Sequence, residues 1–566
     1  MVEFLPLTHL LRVQLFFGAL LLALPWLALT KARPLLANLF DLRPKDTFFA
    51  VLTALALSWS LMLSGYVVLR HLERFGSDLF GFRGVGPGWP VAAVFVLGVL
   101  PTVIGVQRRN PNQWTSGHVI MTTGAVIVGG AFGYLAVEAA NWGIPLIQPV
   151  TSVPDNTAVW LGYADHGKLS AAHIFAACCF VAAAVVYTVL MFVPRPSVPT
   201  LAYVYTWLSI LCWALAATAF FLDKFMVPLS ITVLFVLLLS GYVLRNKTDH
   251  YFRTVRCLKN HPPAPGEVLD SHPGEPVIVV AANGGGIQSA AWTARVLAGL
   301  DSRWRQHYPG DGERFRRRIR LISGVSGGSV GAMNYLETWN GTPADQAVRN
   351  AQSSSLADVA WGLVYPDFLA LLMLVLPRHV DRGNALEWAW TRTIGDSVLK
   401  PLSSWYDRVL LGQCPAVVYN ATITETGERL LMGTTSITQR HGDGRRNLSE
   451  VLHGCDVATV TAARLSATFP FVTPVARPDD KNERAYHLAD GGYYDNYGTV
   501  TAVEWLDEAL RTATRTPERV LLLEIHGAPA ADQSRGSSRG WAYQFVGPIT
   551  CILIVRSAGQ LANKIL

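Results

Sequence analysis

The sequence predicts two architectures in one chain: an α-helical transmembrane bundle of about seven spans, followed by an α/β domain. Three observations carry this. Hydrophobic residues make up 51% and charged residues only 15%, too apolar for a chain that meets water along its whole length. Apolar residues up to position 245 fall into blocks close to the ~20 residues that a helix needs to cross a hydrocarbon core. Beyond residue 276, short β-branched runs alternate with helix-like stretches, the pattern of a sheet covered on both faces. The expected division is 1–245 for the membrane part, 246–275 for a linker and 276–566 for the α/β part.

The apolar blocks run roughly over 13–30, 47–69, 89–106, 118–140, 170–193, 200–222 and 225–244. Pro90, Gly98 and Pro101 interrupt the third, which membrane helices tolerate where neighbours satisfy the backbone. The first lacks a basic leader and a small-residue cleavage site, so it reads as retained rather than as a signal peptide. Lys31, Arg33, Arg43, Lys45, Arg108, Arg109, Arg195 and the basic cluster from Arg245 to Lys259 fall on one side of such a bundle. Fewer fall on the other: Arg12, Arg70, Arg74, Arg83, Lys168 and Lys224. The positive-inside rule then places the second half of the chain on the cytoplasmic side of an inner membrane. The net charge of +7 suits anionic lipid better than nucleic acid, because the basic residues flank apolar blocks and no nucleic-acid motif is present.

Glu138, Asp155, Asp165, His166 and His173 gather around 141–169, but without a spacing such as His-x-x-x-His, so no metal site is expected. Seven cysteines, three of them (Cys178, Cys179, Cys212) in expected spans, show no pairing or zinc pattern. Prolines 262, 263, 265 and 273 mark the linker. Strands are expected at Val277–Ala281, Arg320–Ser323, Ala416–Thr422, Arg429–Met432, Tyr486–Ala489 and Val520–Ile525. Two apolar segments do not fit a plain globule. Trp361–Leu376 reads equally as a lid or surface-lying helix and as a buried core helix, and Val546–Leu566 is apolar to the last residue. The basic run Arg314–Arg320 reads first as a solvated edge and second as a contact for anionic head groups.

Three motifs point to chemistry. Val277–Ala282 runs into Asn283-Gly284-Gly285-Gly286; Gly324-Val325-Ser326-Gly327-Gly328 follows an apolar run; Asp490-Gly491-Gly492 ends another strand. A serine between strand and helix must turn sharply to lift its hydroxyl, and neighbours with almost no side chain allow that. Together and in this order, the motifs resemble a patatin-like phospholipase domain of the bacterial type, over about residues 276–530. Asp381-Arg382-Gly383, Asn420-Ala421-Thr422 and Ser466-Ala467-Thr468-Phe469-Pro470 resemble it too. The family loop usually reads Asp-Gly-Gly-Gly-x-Arg, whereas Asn283 and Gln288 stand at the two charged positions here.

The resemblance implies a three-layer α/β domain and ester hydrolysis by a Ser–Asp dyad without histidine, with Ser326 as nucleophile and Asp490 as base. It implies no cofactor and no metal, and a phospholipid or lysophospholipid substrate. The backbone N–H groups of Gly285, Gly286 and Gly327 suit an oxyanion hole, since each lies at an expected helix start. His487 competes as base, but an odd offset from Asp490 on a strand points it to the opposite face, so it reads as structural. The expected function is a membrane-integral lipid acyl hydrolase. The alternatives are a lipid transacylase with the same dyad, and a transport or signalling protein whose α/β half is catalytically silent. Head group, acyl position and oligomeric state are not legible.

Overall fold

The computed structural model describes residues 249–527 apart from 259–260, 312, 373–378, 440–443, 453, 470–471 and 480–485. Before them it describes 116–128, 164–165, 168–169, 184–198, 200–223, 229–243 and a few single positions. The chain divides into two compact units, one of Met1–Arg245 with Leu356–Leu374, the other of Asn246–Ser355 with Val375–Leu566.

The expected transmembrane bundle is not seen: among the described residues, no helix is long and apolar enough to cross a membrane. The helix Leu229–Val243 has 15 residues, which at 1.5 Å each gives about 22 Å, short of the ~30 Å hydrocarbon core. Thr200–Asp223 has 24 residues. Tyr203, Thr206 and Ser209 are among the residues it buries. The expected span 89–106, the segment 546–566 and nearly all of the spans 13–30 and 47–69 lie outside the described residues.

The N-terminal unit claims the segment Leu356–Leu374. Its helix Leu356–Gly362 runs into a π-turn at Leu363–Asp367 that holds Pro366, and then Phe368–Leu371. The segment is fixed by specific bonds. Trp361 Nε1 donates to Met191 O at 3.1 Å, Tyr365 hydroxyl donates to Tyr187 O at 2.8 Å and Tyr187 hydroxyl donates to Val364 O. Arg195 lies 3.9 Å over the Trp361 ring and 3.7 Å from Asp358, while Trp207 meets Phe368 edge-on. The segment therefore packs with the N-terminal unit and is not a helix of the sheet's core.

The second unit is built on a seven-stranded sheet. In chain order its main elements are β1 (Val277–Ala282), α1 (Gly286–His307), β2 (Ile319–Val325), α2 (Gly327–Leu336), α3 (Ala344–Gln352), α4 (Arg382–Ile394), β3 (Ala416–Ile423), β4 (Arg429–Gly433), β5 (Arg445–Asn447), α5 (Thr459–Ser466), β6 (Leu488–Asp490), α6 (Thr499–Thr512) and β7 (Val520–Ile525). The strand order is β7-β1-β2-β3-β4-β5, with β6 added on β3. Strands β7, β1, β2 and β3 are parallel neighbours, and β4 turns back antiparallel. Every residue of β1, β2 and β3 is buried. Successive side chains point to opposite faces, so unbroken burial means that both faces are covered, and runs such as Val-Ile-Val-Val-Ala-Ala suit such strands. Helices α1, α2 and α3 pack on one another, and α6 packs on β1 and β2.

The register of β3 organises the site. One of its edges is taken by β4 along residues 418–422. On the other edge β2 runs up to Asn420, which faces Val325. From Ala421 onward that same edge passes to β6, whose Asp490 faces Ala421. The ends of β2 and β6 thus stand opposite adjacent residues of one strand.

Candidate active site

Ser326 directly follows β2 and caps α2, with φ 51° and ψ −122°. An L-residue held there costs about 1–3 kcal/mol, a strain that persists only where the surroundings over-determine it. Here they do so through main-chain contact. A methyl on Gly327 would come within 2.0 Å of the Gly286 carbonyl oxygen, and one on Gly328 within 2.2 Å of that of Ala282. The start of α2 therefore abuts the start of α1 backbone to backbone. Each helix brings first-turn N–H groups without an intrahelical partner and the positive end of its dipole to this point. Gly285 and Gly286, at the start of α1, are exposed, and a Cβ at Gly284 would lie 3.3 Å from Ser326 Cβ.

Asp490 ends β6 and is 4% exposed, against 7% for Ser326. Its Oδ1 accepts the Gly492 N–H at 2.8 Å, and its carbonyl accepts the Thr422 hydroxyl at 3.0 Å. A methyl on Gly491 would lie 2.0 Å from Asn420 O, so the chain turns here against β3 only because that residue has no side chain. The segment after it returns to the glycine loop, where Gly284 N–H donates to Asn496 O at 2.8 Å. The three sequence motifs therefore meet at one corner of the sheet.

Asn283, one of the two residues that depart from the family pattern, and Ser289 have structural partners. Asn283 Oδ1 accepts the Gly527 N–H at 2.8 Å, which joins the loop to the end of β7. Ser289, fully buried, donates to Asn283 O at 2.5 Å. Asp381 caps α4 by accepting the Asn384 N–H at 2.8 Å and lies 2.9 Å from His250 Nδ1. Burial pushes its carboxyl up, but the His250 hydrogen bond and the Arg464 charge outweigh that and hold it below the usual range.

His487 is occupied on both sides. Its Nδ1 lies 2.6 Å from Glu425 and its Nε2 3.1 Å from Asp249. The hydrogen bond to Asp249, opposed by partial burial and reinforced by Glu425, raises its pKa to about 8. A ring protonated on both nitrogens has no lone pair with which to take a proton from serine.

Four residues near the site were not singled out for a role by the sequence. Asn420 donates from Nδ2 to Ser323 Oγ at 3.0 Å and to Gly324 O at 2.8 Å, bracing the strand that carries the elbow. Its Oδ1 accepts the Thr501 hydroxyl at 2.6 Å, and Thr501 in turn accepts from Arg429 Nη1 at 3.0 Å. Arg429 also pairs with Glu504 at 2.8 Å and lies 4.9 Å from the ring centre of Tyr494. The fourth, Ser466, bonds the backbone of Ser326 itself. Asn420 and Ser466 sit inside stretches that resemble family motifs, whereas Thr501 and Arg429 carry no sequence signal.

A strand–serine–helix elbow facing a glycine-rich helix start, on a sheet covered on both faces, is the architecture of an α/β acyl hydrolase. Residues 281–503 match the patatin family model, described as patatin-like phospholipase. The match supports a patatin-like phospholipase domain over those residues, and lipid acyl hydrolase activity in general. No curated protein matches the chain.

Proposed function

We propose that the α/β unit is a serine lipid acyl hydrolase of the phospholipase A or lysophospholipase type. Ser326 is the nucleophile, Asp490 the base, and the N–H groups of Gly285, Gly286 and Gly327 bind the oxyanion. The observation that carries this reading is the shared edge of β3, where Val325 faces Asn420 and Asp490 faces Ala421. Neighbouring strands lie about 4.8 Å apart, so that register sets the serine turn beside the aspartate turn.

In the reaction, the Ser326 hydroxyl oxygen bonds to the acyl carbon while its proton passes to the Asp490 carboxylate. The oxyanion forms against two helix starts, where fixed N–H dipoles need no reorganisation. Collapse breaks the ester C–O bond, and Asp490 returns the proton to the leaving alcohol. Water then repeats the sequence on the acyl-enzyme and restores both groups. The Gly492 N–H holds one carboxylate oxygen and so fixes the orientation of the base. A lipid substrate fits the surroundings, because Ile287, Phe469, Tyr493 and Tyr494, each close in sequence to a site motif, are all exposed.

The test is fatty-acid release from phospholipid and lysophospholipid vesicles, read by mass spectrometry, for the full chain and for Ser326→Ala. Loss of the nucleophile should cost about 10⁴-fold or more in kcat. Release by the variant at the wild-type rate would refute the assignment.

A further inference from the structure

Ser466, the last residue of α5, is fully buried and takes no part in the scheme above. Its hydroxyl nevertheless makes three bonds. It donates to Asn420 O at 2.6 Å, lies 2.7 Å from Ser329 Oγ, and accepts the backbone N–H of Ser326 at 3.2 Å. A hydroxyl has one proton and two lone pairs. With the proton on Asn420 O, one lone pair takes the Ser326 amide and the other takes Ser329, which must then be the donor. Each bonding direction is filled, so the group is locked in rotation. It ties together β3, the first turn of α2 and the nucleophile.

Two consequences follow from that geometry. The positive φ of Ser326 is a strained state, and the Ser466 bond restrains the amide on which that torsion turns. The Ser326 N–H, pointed at Ser466, is also withdrawn from the acyl oxygen. The oxyanion donors are then those of Gly327 and the glycine loop.

We propose that Ser466 is a positioning residue, whose hydroxyl holds the Ser326 backbone so that the side chain meets both base and ester. This rests on the reading of Ser326 as nucleophile. Nothing about substrate binding depends on Ser466, so its loss should act on kcat and leave KM in place.

The experiment uses the full chain with two substitutions, Ser466→Thr and Ser466→Val. Both add the same bulk to the same buried position, and only threonine keeps the hydroxyl. Valine should lower kcat by about 10- to 100-fold, the scale of a misplaced reacting group, with KM within twofold. Threonine should recover most of that loss. The rate of fluorophosphonate labelling at Ser326 should fall in parallel in the valine variant, with circular dichroism reporting that the fold is retained. Equal kcat and equal labelling rates for the two variants would overturn the role of Ser466, as would a loss confined to KM. Absence of labelling at Ser326 in the unmodified protein would instead overturn the nucleophile assignment beneath it.

Discussion

Thr501→Val removes one oxygen from the centre of the buried relay beneath the elbow. Valine fills the same space, so packing is preserved while two hydrogen bonds vanish: the 2.6 Å bond to Asn420 Oδ1 and the 3.0 Å bond from Arg429 Nη1. Thr501 is fully buried, as are Asn420 and Arg429, and no solvent can take the lost partner's place. A buried polar group left unpaired costs about 1–3 kcal/mol, and more when charged. Arg429 keeps Glu504, so its share is the smaller. The two together give about 2–5 kcal/mol. For a domain of this size each kcal/mol moves the melting temperature by about 2–4 °C, which predicts a fall of about 4–20 °C. Differential scanning fluorimetry of the full chain measures it, with Thr501→Ser as the control that keeps the hydroxyl. A valine variant melting within a degree of the unmodified protein would show that the relay does not brace the fold.

If Asp490 is the base, Asp490→Asn should lower the rate of fatty-acid release by at least about 100-fold, because an amide of equal volume cannot accept the proton. His487→Ala should stay within about threefold in the same assay, and the reverse ranking would move the base to histidine. The His487 ion pairs also set a pH window for stability. A pKa raised from 6.5 to about 8 means that the stabilisation is fully present below 6.5 and is lost as pH rises through about 8. Melting temperatures taken between pH 6 and 9.5 should show that loss in the unmodified protein and a flatter profile in His487→Gln; parallel profiles would dismiss the clamp.

The parts of the fold that could be read from sequence are those governed by local rules. Val277–Ala282 and Ala416–Ile423 announce themselves as strands because burial on both faces demands an unbroken β-branched or small apolar run. Ser326 was legible because a strained torsion needs glycine neighbours, and these leave a spacing. β5, with sequence Arg-Arg-Asn, carries no such run and went unforeseen. The basic run before β2 is a solvated edge only in part: Arg314 and Arg317 are exposed, but the others are not free in solvent. Arg316 and Arg318 stack over Trp339 and Trp304, and Arg320 is buried within β2, partners that come from elsewhere in the chain. The membrane bundle is an expectation from the length and apolarity of sequence blocks, which record how apolar a stretch is but not what covers it. Thr501 and Arg429 show the same limit in the site, since a relay built through space leaves no spacing in sequence.

The segment Leu356–Leu374 gives the chain an unusual bookkeeping of ends. Because it belongs with Met1–Arg245 while lying inside the other unit's sequence, the polypeptide changes unit three times rather than once. Cutting before residue 246 does not release a self-contained fragment. Trp361, Tyr365 and Phe368 would remain on it, stripped of Met191, Tyr187 and Trp207, as an adhesive apolar loop. A fragment meant for crystallisation or screening has to lose that segment as well, with a short polar splice joining Ser355 to the residues that lead into Asp381. The same interleaving makes the fold hard to assemble by fusing a ready-made hydrolase to a helical partner, because the graft requires an opening in the hydrolase itself.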